Sequence, residues 1–518
     1  MSDLDTLESL SPTMQRRSPV AKLLPEILSA IFMLLSSIDK PTRDEDDSGV
    51  KNSLGWLTVT QVCQHWRNAA LEDATLWASN IIAPFPFGDR WAAIFFSRAQ
   101  YAPLAIGSPA VPWYDMTPPT SSELAFISNN SARIRILEID RITTDEVPAF
   151  CHAMPLLHTL HLTARLGGPI LPAGFLGGAA GAPALRHLSV WPPLPWSSPL
   201  LKHLISLDIT AHGITLNDTM LDEMLDALGQ MRALQRLKLW FQLELSGVPG
   251  TASEHVVTLA ALRHLNVFRA SVVDARLLLA RLELPPDTRV TCDFLSGNDP
   301  MEIEALGQTL RASSARAAAF SRIDIQEIYE QDGVCLTVAA WRRGHTEGMP
   351  ALALQLGSLD GTYNRIGLPA LKGIASEHLE ELHVTGDDIL MQWPPGLQLG
   401  RLRSLSVSGS MAKSFYLSMP STVSRLAISG ADLMGKDEKL NGELDWTEAA
   451  LGAMLPRWLA DRAKAGHALD VLDVRRCHTD EAFVRKVQDA VTGIVVRWRT
   501  EGDDADDMSE EEDFDSWL

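Results

Sequence analysis

The strongest constraint on how this chain can fold is a six-residue pattern that recurs ten times. Aliphatic residues stand at its first, fourth and sixth positions: IRILEI from Ile134, LHTLHL from Leu157, LRHLSV from Leu185, LISLDI from Leu204, LQRLKL from Leu234, LRHLNV from Leu262, LEELHV from Leu379, LRSLSV from Leu402, VSRLAI from Val423 and LDVLDV from Leu469. In a chain this rich in aliphatics the bare triplet arises about five times by chance. Three features lift it above chance: the mostly polar filling, the near identity of LRHLSV and LRHLNV, and the spacing. The central residues are separated by 23, 28, 19, 30 and 28 positions from Leu137 to Leu265, by 23 and 21 from Leu382 to Leu426, and by 46 on to Leu472. Each copy reads as a short strand whose alternate side chains enter a core while the others face out. The segments between them return as helix or irregular turns, as in Thr219 to Gln230. One such unit cannot bury its own apolar face, so a stack is required.

Pattern and period resemble those of irregular leucine-rich repeats, and the resemblance spans residues 133–499. It implies an α/β solenoid curved into an uneven arc. The ninth position, where Asn or Cys often tightens the turn after the strand, is matched only by Cys477. The interval of 117 positions from Leu265 to Leu382 breaks the pattern. A helix near Met301 to Ser314 and strands at Arg322 to Ile328, Val334 to Trp341 and Ala351 to Leu356 are expected there, the first two joined by a turn at Gln331-Asp332-Gly333. Residues 300–372 therefore read as enlarged repeats continuing the sheet, with a separate α+β insert as the alternative. Asp445 to Ala463 reads as a further helix and Gly493 to Trp498 as a closing strand. Prolines at 103, 109, 112, 118 and 119 make residues 81–132 read as a linker with one helix, Arg90 to Ala99.

Residues 22–80 form a different unit. Leu23-Leu24-Pro25-Glu26-Ile27-Leu28 opens a helix with proline in the first turn, where its missing N–H costs nothing. Ile27, Ile31 and Leu34 make one apolar stripe, and Leu28, Phe32 and Leu35 a second beside it. A helix apolar on most sides needs two surfaces to bury it, and so small a unit cannot supply both. Val59, Val62, Cys63, Trp66 and Ala70 then fall at helical spacing, and Leu76-Trp77 closes the unit. The segments LPEILSAIF and WLTVTQVCQHWRNAALEDATLW resemble the F-box, and most closely the variant at the N-terminus of many fungal F-box proteins. That resemblance implies a three-helix unit that docks onto the Skp adaptor of a Skp–cullin–F-box ubiquitin ligase. It carries Leu24, Pro25, Ile27, Leu28, Ile31, Phe32, Val62, Cys63 and Trp66 over as the adaptor interface or its direct support. The acidic loop between Ile38 and Leu54 is longer than in a compact F-box and reads as a surface insertion.

The formal charge of −20 argues against nucleic acid or an anionic membrane as main partner. Half of it lies between Glu501 and Asp515, which hold ten acidic residues and no basic one. Residues 500–518 thus read as a disordered acidic tail, as do residues 1–21 as a disordered N-terminus. The N-terminus is acidic where a secretory signal is basic, so the expected location is cytoplasmic or nuclear. The five cysteines are widely spaced, which predicts neither a disulfide framework nor a metal cluster.

Catalytic patterns occur at chance level. Ser410-Met411-Ala412-Lys413 matches S-x-x-K without the accompanying K-T-G, and Gly167 to Gly181 lacks a Walker lysine. No enzyme activity, cofactor or metal is expected. The outward strand positions are more informative: His187, Ser189 and Trp191; Arg236, Lys238 and Trp240; His264, Asn266 and Phe268. An aromatic recurs beside basic or polar neighbours, so His187, Trp191, Arg236, Lys238, Trp240, His264 and Phe268 become candidate contacts for a protein target. The expected function is a non-catalytic substrate receptor that holds the Skp adaptor and cullin core at one end and an unidentified protein target at the other. A repeat scaffold whose F-box-like helices assemble no ligase is the alternative.

Overall fold

The computed structural model describes residues 23–46, 49–82, 88–107, 118–164, 171–191, 194–243, 255–294, 299–313, 320–330, 333–342, 349–358, 374, 378–385, 399–408, 419–433 and 448–499. The fold is mixed α/β with mostly parallel strands, in two compact units, 1–213 and 214–518.

The first unit opens with helices. α1 (Pro25–Ile38) starts after an extended Leu24 with proline in its first turn. The acidic insertion folds as an antiparallel hairpin, β1 (Thr42–Asp46) with β2 (Gly49–Ser53). The chain then returns to the end of α1, where Trp56 N–H donates to the Asp39 carbonyl at 2.8 Å. Gly55 allows the return: its φ is +51°, and a Cβ there would lie 2.6 Å from that carbonyl oxygen. A 3-10 turn (Gly55–Gln61) leads into α2 (Gln64–Glu72) and α3 (Ala74–Ala78). The helical spacing read across Val59 to Ala70 is broken at Cys63, whose backbone is extended (φ −160°, ψ 169°). Asp73 caps α3 by accepting from Thr75 and Leu76 N–H at 3.0 Å, and its other oxygen accepts from the Ser29 hydroxyl of α1. Trp56 and Trp77 pack edge to face, 5.3 Å apart, and Trp77 meets Phe95 at 4.9 Å.

Six parallel strands follow in sequence order: β3 (Ile81–Ile82), β4 (Leu104–Gly107), β5 (Ile134–Ile142), β6 (Thr159–Ala164), β7 (His187–Val190) and β8 (Ser206–Leu216). Leu137, Leu160, Leu188 and Leu207 stand in register, each no more than 2 % exposed. A buried leucine contributes about 1.5–3 kcal/mol, so this row anchors the stack. Residues 81–132, expected to be a linker with one helix, contain two helices, α4 (Asp89–Ala99) and α5 (Ser121–Asn129), and the two strands β3 and β4.

In the second unit, α6 (Asp218–Gln230) precedes β9 (Arg236–Leu243), and a small pair, β10 (Val257–Thr258) with β12 (Leu282–Glu283), lies apart from the main sheet. The main sheet continues through β11 (His264–Ala270) and β13 (Arg289–Phe294), with α7 (Val272–Ala280) between them. After α8 (Pro300–Ser313) come β14 (Phe320–Glu330), β15 (Gly333–Arg342) and β16 (Leu352–Ser358). These lie where the sequence places them and belong to the same sheet, but in reverse spatial order. β16 pairs with β13, β15 runs antiparallel between β16 and β14, and β14 pairs with β17 (Glu381–Thr385). Parallel order resumes through β18 (Ser404–Ser408), β19 (Arg425–Asp432), β20 (Val471–His478) and β21 (Val495–Arg497), with α9 (Glu448–Lys464) and α10 (Glu481–Ala490) intervening.

One turn recurs in both units. Four residues after the central leucine, Arg141, Arg269 and Gly430 adopt left-handed conformations with φ of 60°, 53° and 67°. The register of each strand shifts there. Nearby polar side chains secure two of these exits. The Thr163 hydroxyl accepts from Arg141 N–H at 3.0 Å, and the Cys477 thiol donates to the Ile428 carbonyl at 3.1 Å. Cys477 thus acts on the exit of the neighbouring strand, β19.

Candidate functional site

The two stripes of α1 part company. Leu28 and Phe32 are completely buried, Phe32 edge to face with Trp66 at 5.3 Å. They face away from solvent and form the floor under the helix's other stripe. The other stripe is open: Leu24 is 64 % exposed, Ile27 49 %, Ile31 39 %, Leu34 69 % and Ile38 84 %. These five fall at steps of three, four, three and four, a single seam about 21 Å long. Leu34 and Ile38 extend the seam beyond the residues carried over by resemblance; the same spacing, followed one turn further, identifies them. Pro25 is exposed at its start, and Val62 adds a further exposed aliphatic at 59 %. Cys63 and Trp66 are half-buried. Beneath them, His65 Nε2 lies 2.8 Å from the Leu23 carbonyl and fixes the start of α1 against α2. An exposed aliphatic seam of this length is larger than the scattered single apolar residues of an ordinary surface.

The outward sheet positions divide by unit. In the first, Glu138, His161, Ser189 and Asp208 stand in register. His161 lies with Nδ1 2.9 Å from the Ser189 hydroxyl and Nε2 3.4 Å from Asp140, which also accepts from Thr163 at 2.8 Å. The Asp140 carboxylate pushes the His161 pKa up, against the opposing effect of burial. His187 rests against His158 with ring centroids 5.0 Å apart, and Trp191 is half-buried just past β7, its backbone N–H donating to the Leu162 carbonyl at 2.8 Å. The Asp140–His161–Ser189 chain has the residue types of a hydrolytic relay. However, Ser189 is paired on both sides of its strand, so its neighbourhood of backbone N–H groups is engaged in the ladder rather than aimed at an oxyanion.

In the second unit Arg236, His264 and Arg289 stand side by side, above them Lys238, Asn266 and Thr291, and above those Trp240, Phe268 and Asp293. Trp240 and Phe268 lie 6.4 Å apart; Arg269 covers the Trp240 ring and Lys238 the Phe268 ring, each at 5.0 Å. Burial lowers the His264 pKa first, and the positive charges of Arg289, Arg236 and Arg263 lower it further.

The two histidines thus give a pH test of the geometry. NMR titration should place His161 above the ordinary histidine value of about 6.5 and His264 below it. Because His161 is raised, its contribution to stability is complete below about pH 6.5 and is lost as pH rises through the folded-state value. Asp140→Asn should lower the His161 midpoint and flatten that dependence. A His161 midpoint unmoved by the substitution would disprove the pairing.

Three of the thiols are held protonated by burial. Burial pushes Cys292 up to about 12 and Cys477 to about 11, and raises Cys151. No group of three or more potential metal ligands occurs among the described residues, and none of their helices is long and apolar enough to cross a membrane. Ser410, Lys413 and the acidic segment 501–515 lie outside the described residues. Comparison with known proteins finds no family model and no curated sequence that matches the chain.

Proposed function

We propose that the chain is a substrate receptor of a Skp–cullin–F-box type ubiquitin ligase, with the helical module of residues 22–80 holding the Skp adaptor and the strand-rich remainder, read as an irregular leucine-rich-repeat arc, presenting a protein target. The observation that carries this reading is the solvent-exposed seam Leu24, Ile27, Ile31, Leu34 and Ile38 on a helix opened by Leu-Pro. The register of the central leucines and the recurring left-handed exit at Arg141, Arg269 and Gly430 support the repeat half. In this role the chain makes and breaks no bond. It acts by proximity, raising the effective concentration of the target near the conjugating enzyme.

Co-expression with a Skp adaptor tests the reading. The full chain should co-purify with the adaptor, and a chain lacking residues 1–80 should not, with the remaining sheet checked by circular dichroism. Equal recovery of adaptor with both would sink it.

A second reading has its own support. Trp77 packs on Phe95 of α4, and the chain enters β3 four residues after Trp77, so the helical module runs directly into the first strand of the sheet. On that view it is a cap on a scaffold, and the full chain recovers no adaptor.

A further inference from the structure

The outward face of β9, β11 and β13 has a chemistry of its own. Arg236, Lys238, Arg263, Arg269 and Arg289 belong to its strands or their immediate ends, against one carboxylate, Asp293, in the same three rows. Strands about 4.8 Å apart and rows about 6.7 Å apart spread these cations over a patch of roughly 10 by 13 Å. Arg269, at the left-handed strand exit, lies over the Trp240 ring.

We infer that this face binds a peptide segment bearing several carboxylates beside one aromatic side chain, the carboxylates on the Arg236, Lys238 and Arg289 rows and the aromatic against Trp240 and Phe268. This deepens the target-binding half of the reading above and rests on it. Scattered single cations match scattered single carboxylates, rather than one concentrated dianion. The formal charge of −20 repels a long polyanion beyond the edge of so small a patch, whereas a short peptide carries only a few charges there. Trp and Arg are also the side chains that most often dominate protein–protein contacts.

The test uses the full chain and a fluorescein-labelled Gly-Glu-Asp-Glu-Trp-Glu-Gly peptide, read by anisotropy in about 100 mM salt. Binding should weaken at least 30-fold when the probe acids become Gln and Asn, and about tenfold when its Trp becomes Ala. The same losses should follow Arg236→Gln/Arg289→Gln and Trp240→Ala respectively, with Arg485→Gln, on α10, within twofold of the parent. The probe-side changes leave the protein untouched, so they decide the matter even if a variant fails to fold. No binding of the acidic probe, equal binding of the neutral probe, or tighter binding of an oligothymidylate or of a peptide whose sole anion is phosphoserine would each overturn the inference. Adaptor capture is measured separately on α1. Its failure with probe binding intact removes the ligase reading alone, and the converse removes this one alone.

Discussion

Replacing Ile31 and Leu34 together by aspartate should reduce affinity for the Skp adaptor at least 100-fold and leave the protein folded. Both side chains are open to water, at 39 % and 69 % exposure, so the new carboxylates stay solvated in the free chain. In a complex they would lie on an aliphatic surface, where each would lose its hydration without a partner. Deleting two central anchors costs about 2 kcal/mol or more apiece, so 100-fold, about 2.7 kcal/mol, is a conservative figure. Calorimetry against purified adaptor measures it, with thermal melting as control. Undiminished affinity would remove the seam from the interface.

The neighbouring position should behave in the opposite way. Phe32→Ala is expected to destabilise the first unit by about 3–5 kcal/mol, since a fully buried ring is lost and Trp66 is left facing a cavity. Any loss of adaptor binding would then track unfolding, and added osmolyte should restore both together. Urea denaturation followed by tryptophan fluorescence gives the number; a change under about 1 kcal/mol would place Phe32 outside the core. Two adjacent residues of one helix thus separate binding from folding.

That separation was legible in the sequence because α1 carries two stripes and the unit around it is too small to bury both. Which stripe stays open was not legible, since Ile31 and Phe32 are equally apolar and only the placement of Trp66 and Leu28 decides between them. The ten leucine-centred strands were readable for the same reason that they pair: within each unit the central leucines share a buried row. β13 escaped because Val290, Cys292 and Phe294 occupy its inward positions in place of leucines, although Val290 lies 25 positions after Leu265, on the period. β4 was hidden by its flanks. Pro103 stands just before the strand and Pro109 after it, positions where proline removes no ladder hydrogen bond from the strand itself. The hairpin β14–β15 was visible from its turn, but its place was not. Strands adjacent in sequence usually lie adjacent in space, and here β14 lands three positions from β13.

This reversed order affects the timing of synthesis. When β13 leaves the ribosome, its next neighbour, β16, is still about 60 residues away, which at 5–20 residues per second is a delay of roughly 3–12 s. Throughout that interval the growing edge of the second unit is a finished strand with an unpaired row of N–H and C=O groups and with Cys292 and Phe294 awaiting cover. The nascent chain is therefore most open to pairing with the wrong strand, including the same strand of a neighbouring nascent chain, in the middle of its synthesis rather than at its end.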